Sequence, residues 1–271
     1  MYPEILKIGH FSIRSYGLML AVSFFLGIIY LGRMAKKENI DFGQVLTIAY
    51  ILIIAGILGA RFSYVLFHLD EFRGNWLSSI NPFGSDHYGI AGLNLYGGII
   101  AAFICSLIYL LIKKMPIFKV YDLIAPTVGL GLIFTRIGCF LNGCCFGTPT
   151  HLPWGISFPE GSLPYYVFGS QHLHPSQLYS SLYGLILFVY LHWQLKSKKF
   201  DGQVIAQMFM IEAVFRYLIE YVRYYESEMH VSFWGMNPTY NNLMSIFLFL
   251  LGLTLFLVRY FRYRSARRTT A

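Results

Sequence analysis

The sequence predicts an all-α integral membrane protein: seven transmembrane helices, the N-terminus outside, the C-terminus cytoplasmic, and external loops at the outer leaflet. Three observations predict this. Of 271 residues, 56% are hydrophobic and 13% charged, and the mean hydropathy of +0.54 lies outside the range of ordinary soluble domains. Seven apolar runs approach the ~20 residues that a helix needs to cross ~30 Å of hydrocarbon. The basic residues follow alternate runs, so they mark one side of a bilayer.

The runs lie at about 15–33, 45–67, 96–112, 120–142, 177–194, 203–223 and 240–258. Arg33, Lys36 and Lys37 follow the first, and Lys113, Lys114 and Lys119 the third. Lys196, Lys198 and Lys199 follow the fifth, and Arg259, Arg262, Arg264, Arg267 and Arg268 the seventh. The opposite side holds only Lys7, Arg14 and Arg73. The net charge of +8 is therefore read as topology and contact with anionic lipid, and no nucleic-acid partner is expected. The first run follows a polar N-terminus and is long enough to span, so no cleavable signal peptide is expected. No internal repeat or linker divides the chain, and a single domain over 1–271 is expected.

Residues 1–14 should lie outside, followed by the first run with Tyr16 at its head. The second run travels outward and carries Arg61 in its outer third. A long external arm over about 68–94, with Trp76 and Pro82, precedes the third run and Tyr96. The fourth run leaves Lys119, and at 1.5 Å per residue Arg136 lies roughly 25 Å further on, near the outer interface. A proline- and aromatic-rich stretch over about 143–173 reads as an ordered cap at headgroup level. His174, Pro175 and Gln177 open the fifth run, and the sixth places Arg216, Glu220 and Arg223 in its outer half.

The most informative stretch is Arg136 to Gly147, RIGCFLNGCCFG. Tyr16, Arg61, Tyr96, Arg136, Asn142, His174 and Arg216 fall at one depth, that of outer-leaflet headgroups. Ionisable residues inside spans cost ~2.5–3.5 kcal/mol each on insertion scales and usually face a cavity or a partner. Several arginines at that depth point to a bound anion, and guanidinium grips phosphate through paired hydrogen bonds. Structural readings stand beside this one. Glu212, Arg216, Glu220 and Arg223 share helical spacing and can form a salt-bridge ladder, and Arg223 can snorkel. Tyr16 and Tyr96 can belong to an aromatic belt. His174 can cap a helix. Gly138, Gly143 and Gly147 can serve packing or admit a headgroup against backbone. Cys139, Cys144 and Cys145 lack a CxxC spacing, so no metal site is expected; a disulfide, a reactive thiol and small packing residues remain open.

Six blocks in order, SYGLML around Tyr16, GARFSYVLF around Arg61, LYGGIIA from Leu95, RIGCFLNGCCFG from Arg136, HPSQLYSSLYG from His174 and FRYLIEYVR from Phe215, resemble the bacterial prolipoprotein diacylglyceryl transferases over almost the whole chain. The resemblance implies seven spans in the bacterial cytoplasmic (inner) membrane. It also implies transfer of the diacylglyceryl group of phosphatidylglycerol to the thiol of the lipobox cysteine in a prolipoprotein signal peptide, with release of glycerol phosphate. No cofactor is implied. Arg136 and Arg216 match the family's functional arginines, with phosphate binding and charge stabilisation as their expected roles. Tyr16, Asn142 and Gly147 match motif positions, and Arg61, Gln177 and Glu220 join them as substrate-binding candidates.

Three positions depart from the family pattern. Tyr96 replaces a histidine, Cys139 an asparagine and Cys144 a glutamate, which leaves the base for the incoming thiol divided between Tyr96 and His174. Two other classes of function compete. One is a related phospholipid-binding or phospholipid-modifying membrane protein without lipobox activity. The other, a seven-helix receptor or retinal pump, is disfavoured because no run carries an interior lysine for a Schiff base.

Overall fold

The computed structural model describes residues 2–8, 11–72, 92–225 and 238–269. Helix dominates. After two short strands, β1 (Glu4–Ile8) and β2 (Phe11–Arg14), come α1 (Ser15–Lys37), α2 (Phe42–Phe67), a 3-10 turn (Leu69–Phe72), α3 (Leu95–Ile112) and α4 (Ile117–Asn142). A short α5 (Leu163–Phe168) precedes α6 (Ser176–Ser197), α7 (Gln203–Ile219) and α8 (Tyr240–Thr269). Each expected run is a helix. The mostly helical structure agrees with the expected all-α class, and β1 and β2 add one short two-stranded sheet ahead of α1. Most of the expected arm, residues 73–91, lies outside the described residues.

Among the described residues five helices, α1 to α4 and α8, are long and apolar enough to cross a membrane. The other two fall short for identifiable reasons. Helix α7 has 17 residues, and α6 dilutes its apolar residues with buried Ser176, Gln177 and Ser180. The expected sixth run extended to 223, but α7 stops at Ile219. Beyond it the backbone turns to other partners: Thr148 N donates to Val222 O at 3.0 Å and Tyr224 N to Phe146 O at 3.1 Å. Helix α8 instead continues past 258 through the basic tail to Thr269.

The chain forms two compact units, residues 1–7, 13–30 and 118–271 in one and 8–12 and 31–117 in the other. In the second unit α2 and α3 pack closely. Asp41 Oδ2 caps α2 by accepting from Gln44 N at 2.9 Å, and Asn94 Oδ1 caps α3 by accepting from Tyr96 N at 3.0 Å, each satisfying a donor that the first helical turn leaves orphaned. Apolar side chains on α3 face outward, among them Ile99 at 57% and Leu111 at 57% exposure. A water-soluble protein rarely bears such a surface, whereas lipid tails accept it.

In the first unit α4 and α6 approach to backbone distance. A Cβ added at Gly129 would meet Phe188 N at 2.6 Å and Gly184 O at 2.9 Å, the small-residue contact expected where helices pack without a hydrophobic drive between them. The turn between α6 and α7 is built around Asp122, whose side chain is completely buried. Gly202, the N-cap of α7, has no side chain to accept hydrogen bonds, so Asp122 of α4 does so. Its carboxylate accepts from Gly202 N at 2.9 Å, Val204 N at 3.0 Å and Ile205 N at 3.0 Å, and from Lys198 Nζ at 3.1 Å.

Burial alone would lower the pKa of Lys198, but Asp122 and Asp201 outweigh it and raise the value above the ordinary one. The stabilisation from this lysine is therefore fully present below its unfolded pKa and is lost as pH rises through the folded one. Asp122→Ala leaves three backbone donors unsatisfied and Lys198 with Asp201 as its remaining carboxylate, and a loss of about 3 kcal/mol is expected. Thermal unfolding in detergent measures it, and the gap between wild type and variant should narrow at strongly alkaline pH.

Candidate active site

The C-terminal turns of α4 carry Arg136, Gly138, Cys139 and Asn142, one side of the candidate site. A Cβ at Gly138 would touch Tyr16 Cα at 3.2 Å and its ring at 3.5 Å, so the missing side chain lets the start of α1 lie against α4. Tyr16 is thereby brought within electrostatic reach of Arg136 and of all three nearby thiols. Its side of α1 stays accessible, at 39% exposure.

Arg216 on α7 supplies the second guanidinium. Its Nη2 lies 3.0 Å from Glu220 Oε1 and donates to the Tyr225 hydroxyl at 2.9 Å. Glu220 is a hub. It accepts from Tyr225 Oη at 2.7 Å, Thr239 Oγ1 at 2.8 Å and Asn241 Nδ2 at 3.4 Å, so one carboxylate ties the end of α7 to the start of α8. Burial, the largest influence, pushes the Tyr225 hydroxyl up to about 12, so it stays protonated as a donor to Glu220. The expected ladder is realised at the Arg216–Glu220 step. It does not extend along the helix to Arg223, because α7 has already ended. Arg223 instead pairs its backbone with Gly147 and lays its guanidinium 5.0 Å from the Tyr225 ring centre.

Glu212, one turn before Arg216, is within electrostatic reach of both Arg136 and Arg216. Arg136 Nε, Arg223 Nε and Gln177 Oε1 are buried with no hydrogen-bond partner. Unsatisfied buried polar atoms are uncommon in folded proteins, and several in one unit mark a place built to meet something else. A phosphate would satisfy the arginine donors.

The loop after α4 is held by the start of α6. Ser176 Oγ donates to Cys145 O at 2.8 Å, and Gln177 Nε2 to Cys144 O at 2.9 Å. Gln177, 1% exposed, therefore positions this loop. Asn142 is exposed and hydrogen-bonds the Cys144 thiol. Hydrogen bonds from Cys139 and Cys144, reinforced by Arg223 and Arg136, hold the Cys145 thiol below its ordinary pKa. His174 Nδ1 is 3.3 Å from Tyr179 Oη, which also accepts from Trp154 Nε1 at 2.8 Å. The histidine's backbone is the partner of Gly147 N at 3.1 Å and of Thr148 O at 3.0 Å.

Gly147 is enclosed by its own chain. A Cβ there would meet His174 O at 2.5 Å and Val222 O at 2.6 Å, which favours the packing reading of this glycine over headgroup contact. The expected cap over 143–173 has a core of Phe146, Phe158 and Leu173. Arg61 and Tyr96 belong to the second unit. Arg61 Nη1 donates to Gly92 O at 3.3 Å and lies near the Phe72 and Tyr64 rings; Tyr96 sits in the first turn of α3 at 42% exposure.

Sequence reasoning missed Tyr225, which lies five residues past Glu220 and beyond the helix end, and Thr239 and Asn241, which no spacing ties to a glutamate nineteen and twenty-one residues away. It also missed Asp122, for which a signal existed: a lone acid inside an apolar run demands a partner. Gly147→Ala should cost about 1–3 kcal/mol through overpacking against backbone, read as a lower unfolding temperature. Glu220→Gln should destabilise by a similar ~3 kcal/mol, since it leaves Arg216 without its counter-charge.

A family model described as "Prolipoprotein diacylglyceryl transferase" matches residues 3–258. Among curated proteins, the phosphatidylglycerol–prolipoprotein diacylglyceryl transferase of Shewanella oneidensis is 34% identical, covering 94% of this chain and 94% of its own. The protein of that name from Bordetella avium is 32% identical, again over 94% of each. The Clostridium tetani one is 31% identical over 82% of this chain and 86% of its own.

Proposed function

The chain belongs to the prolipoprotein diacylglyceryl transferase family, and on that premise we propose that it is an enzyme transferring the diacylglyceryl group of phosphatidylglycerol to a prolipoprotein. The observation that carries the reading is the buried, unpartnered Nε of Arg136 on α4, with Arg216 on α7 held in place by Glu220 and Tyr225. The acceptor is the lipobox cysteine thiol. A carbon–sulfur bond forms at the glycerol carbon that bore the phosphate, and its carbon–oxygen bond breaks. The electron pair leaves with glycerol phosphate, and the thiol proton passes to a base.

In this mechanism Arg136 and Arg216 grip the phosphate and stabilise the charge that grows on it as the bond breaks. Pinned by Glu220 and Tyr225, Arg216 is pre-oriented, so little reorganisation is needed on binding. Tyr16 and Asn142 orient the headgroup. Gln177 and Glu220 act by holding loop and guanidinium in place. His174 and Tyr96 are the candidate bases; Tyr96 and Arg61 owe their place in this reading to the family motifs. An apolar groove of about 310 Å³ between α7 and α8, lined by Ala213, Tyr217, Ile246 and Phe249 among others, suits an acyl chain.

All seven long helices span the bacterial cytoplasmic membrane in this reading, with the N-terminus outside and the basic C-terminus inside, and the chain works as one transferase domain. The apolar outward faces and the alternate basic loops support it. The competing reading, a phospholipid-binding protein without lipobox activity, predicts no product in the same assay.

Purified protein in bilayers, given phosphatidylglycerol and a lipobox peptide, should form a thioether-linked diacylglyceryl peptide; its absence with folded protein overturns the proposal. Arg136→Ala and Arg216→Ala should each reduce turnover at least ~100-fold, the scale of losing one transition-state charge contact. Tyr96→Phe should cause a severe loss if its hydroxyl handles the thiol proton, whereas near-normal activity assigns the base to His174.

A further inference from the structure

The Sγ atoms of Cys139, Cys144 and Cys145 all lie within 4.8 Å of one another, and the transfer chemistry uses none of them. We propose that these three thiols form a binding site for one soft d10 cation, Cu(I), held as a trigonal tris-thiolate.

Several independent features point the same way. Three sulfurs around a metal at ~2.3 Å stand about 4 Å apart, so the side chains need only small rotations to close on an ion. The loop that presents two of them is shaped and pinned. Cys145 adopts a left-handed backbone with φ 61°, costly for a residue with a Cβ, and Ser176 and Gln177 hold the carbonyls of Cys145 and Cys144. Among the described residues no histidine or carboxylate joins the group. Zinc sites ordinarily take four ligands, whereas soft thiolates suit Cu(I), and three donors meet its lower coordination number.

Charge is complementary as well. Three thiolates and Cu(I) carry −2, and Arg136 and Arg223 both act on Cys145. Arg223, which takes no part in the phosphate grip, has a buried Nε without a partner, and a sulfur-rich anion would supply one. The cation would brace the end of α4 against the loop that follows it. This inference stands apart from the transferase reading, because its test measures metal and not turnover.

The test uses the reduced full-length protein in detergent, without oxygen, titrated with Cu(I) in competition with a Cu(I) chelator and examined by X-ray absorption. One equivalent retained against the chelator, with three sulfur neighbours, is the expected result. Cys144→Ser and Cys145→Ser should each weaken retention at least tenfold, and Cys105→Ser, on α3, should leave it unchanged. The proposal is overturned if no equivalent is retained, if retention survives in both loop variants, or if Zn(II) is held and Cu(I) is not. Should a variant unfold, the sulfur count in the wild-type protein still decides.

Discussion

Glu220 holds the candidate site together. One carboxylate, 8% exposed, receives the guanidinium of Arg216 and the polar side chains of Tyr225, Thr239 and Asn241. In an apolar protein an unpaired buried charge costs several kcal/mol, so pairing is compulsory rather than decorative. That constraint fixes where α7 ends, where α8 begins and which way Arg216 points. Asp122 plays the equivalent part at the other end of α7, where it replaces the cap that Gly202 cannot provide.

Between these two anchored ends, the site is a region of deliberate incompleteness. Arg216 is satisfied and rigid, while Arg136 and Arg223 retain buried unpartnered nitrogens. In the proposed transfer this combination would supply a positioned charge to stabilise the leaving phosphate and, at Arg136, a donor left open for it. Completing every hydrogen bond internally would make a more stable protein with nothing to offer a substrate.

Two of the three departures from the expected family pattern lie together, Cys139 in the last turn of α4 and Cys144 in the loop after it. Where relatives are expected to have asparagine and glutamate, this chain has Cys139 and Cys144, and Cys145 joins them in space. Thiols cannot replace a carboxylate's permanent charge, yet they sit under the influence of the same arginines. The loop has thus kept its electrostatic surroundings while changing the chemistry it presents, and its backbone is held by Ser176 and Gln177 from α6.

The sequence by itself determined the helices, because a ~20-residue apolar run in a chain of this hydropathy has few other stable outcomes. It also identified Arg136 and Arg216, since a guanidinium within such a run is costly enough to demand a reason. What it left undecided was partnership. The end of α7 at Ile219, the enclosure of Gly147 and the hub at Glu220, two of whose partners come from the start of α8, depend on segments distant in the chain, while the meeting of three thiols without a CxxC spacing depends on how one loop turns. Periodicity records which residues face apolar surroundings, but hydrogen bonds and short-range electrostatics act over a few ångströms. Only the tertiary fold brings those atoms within that range.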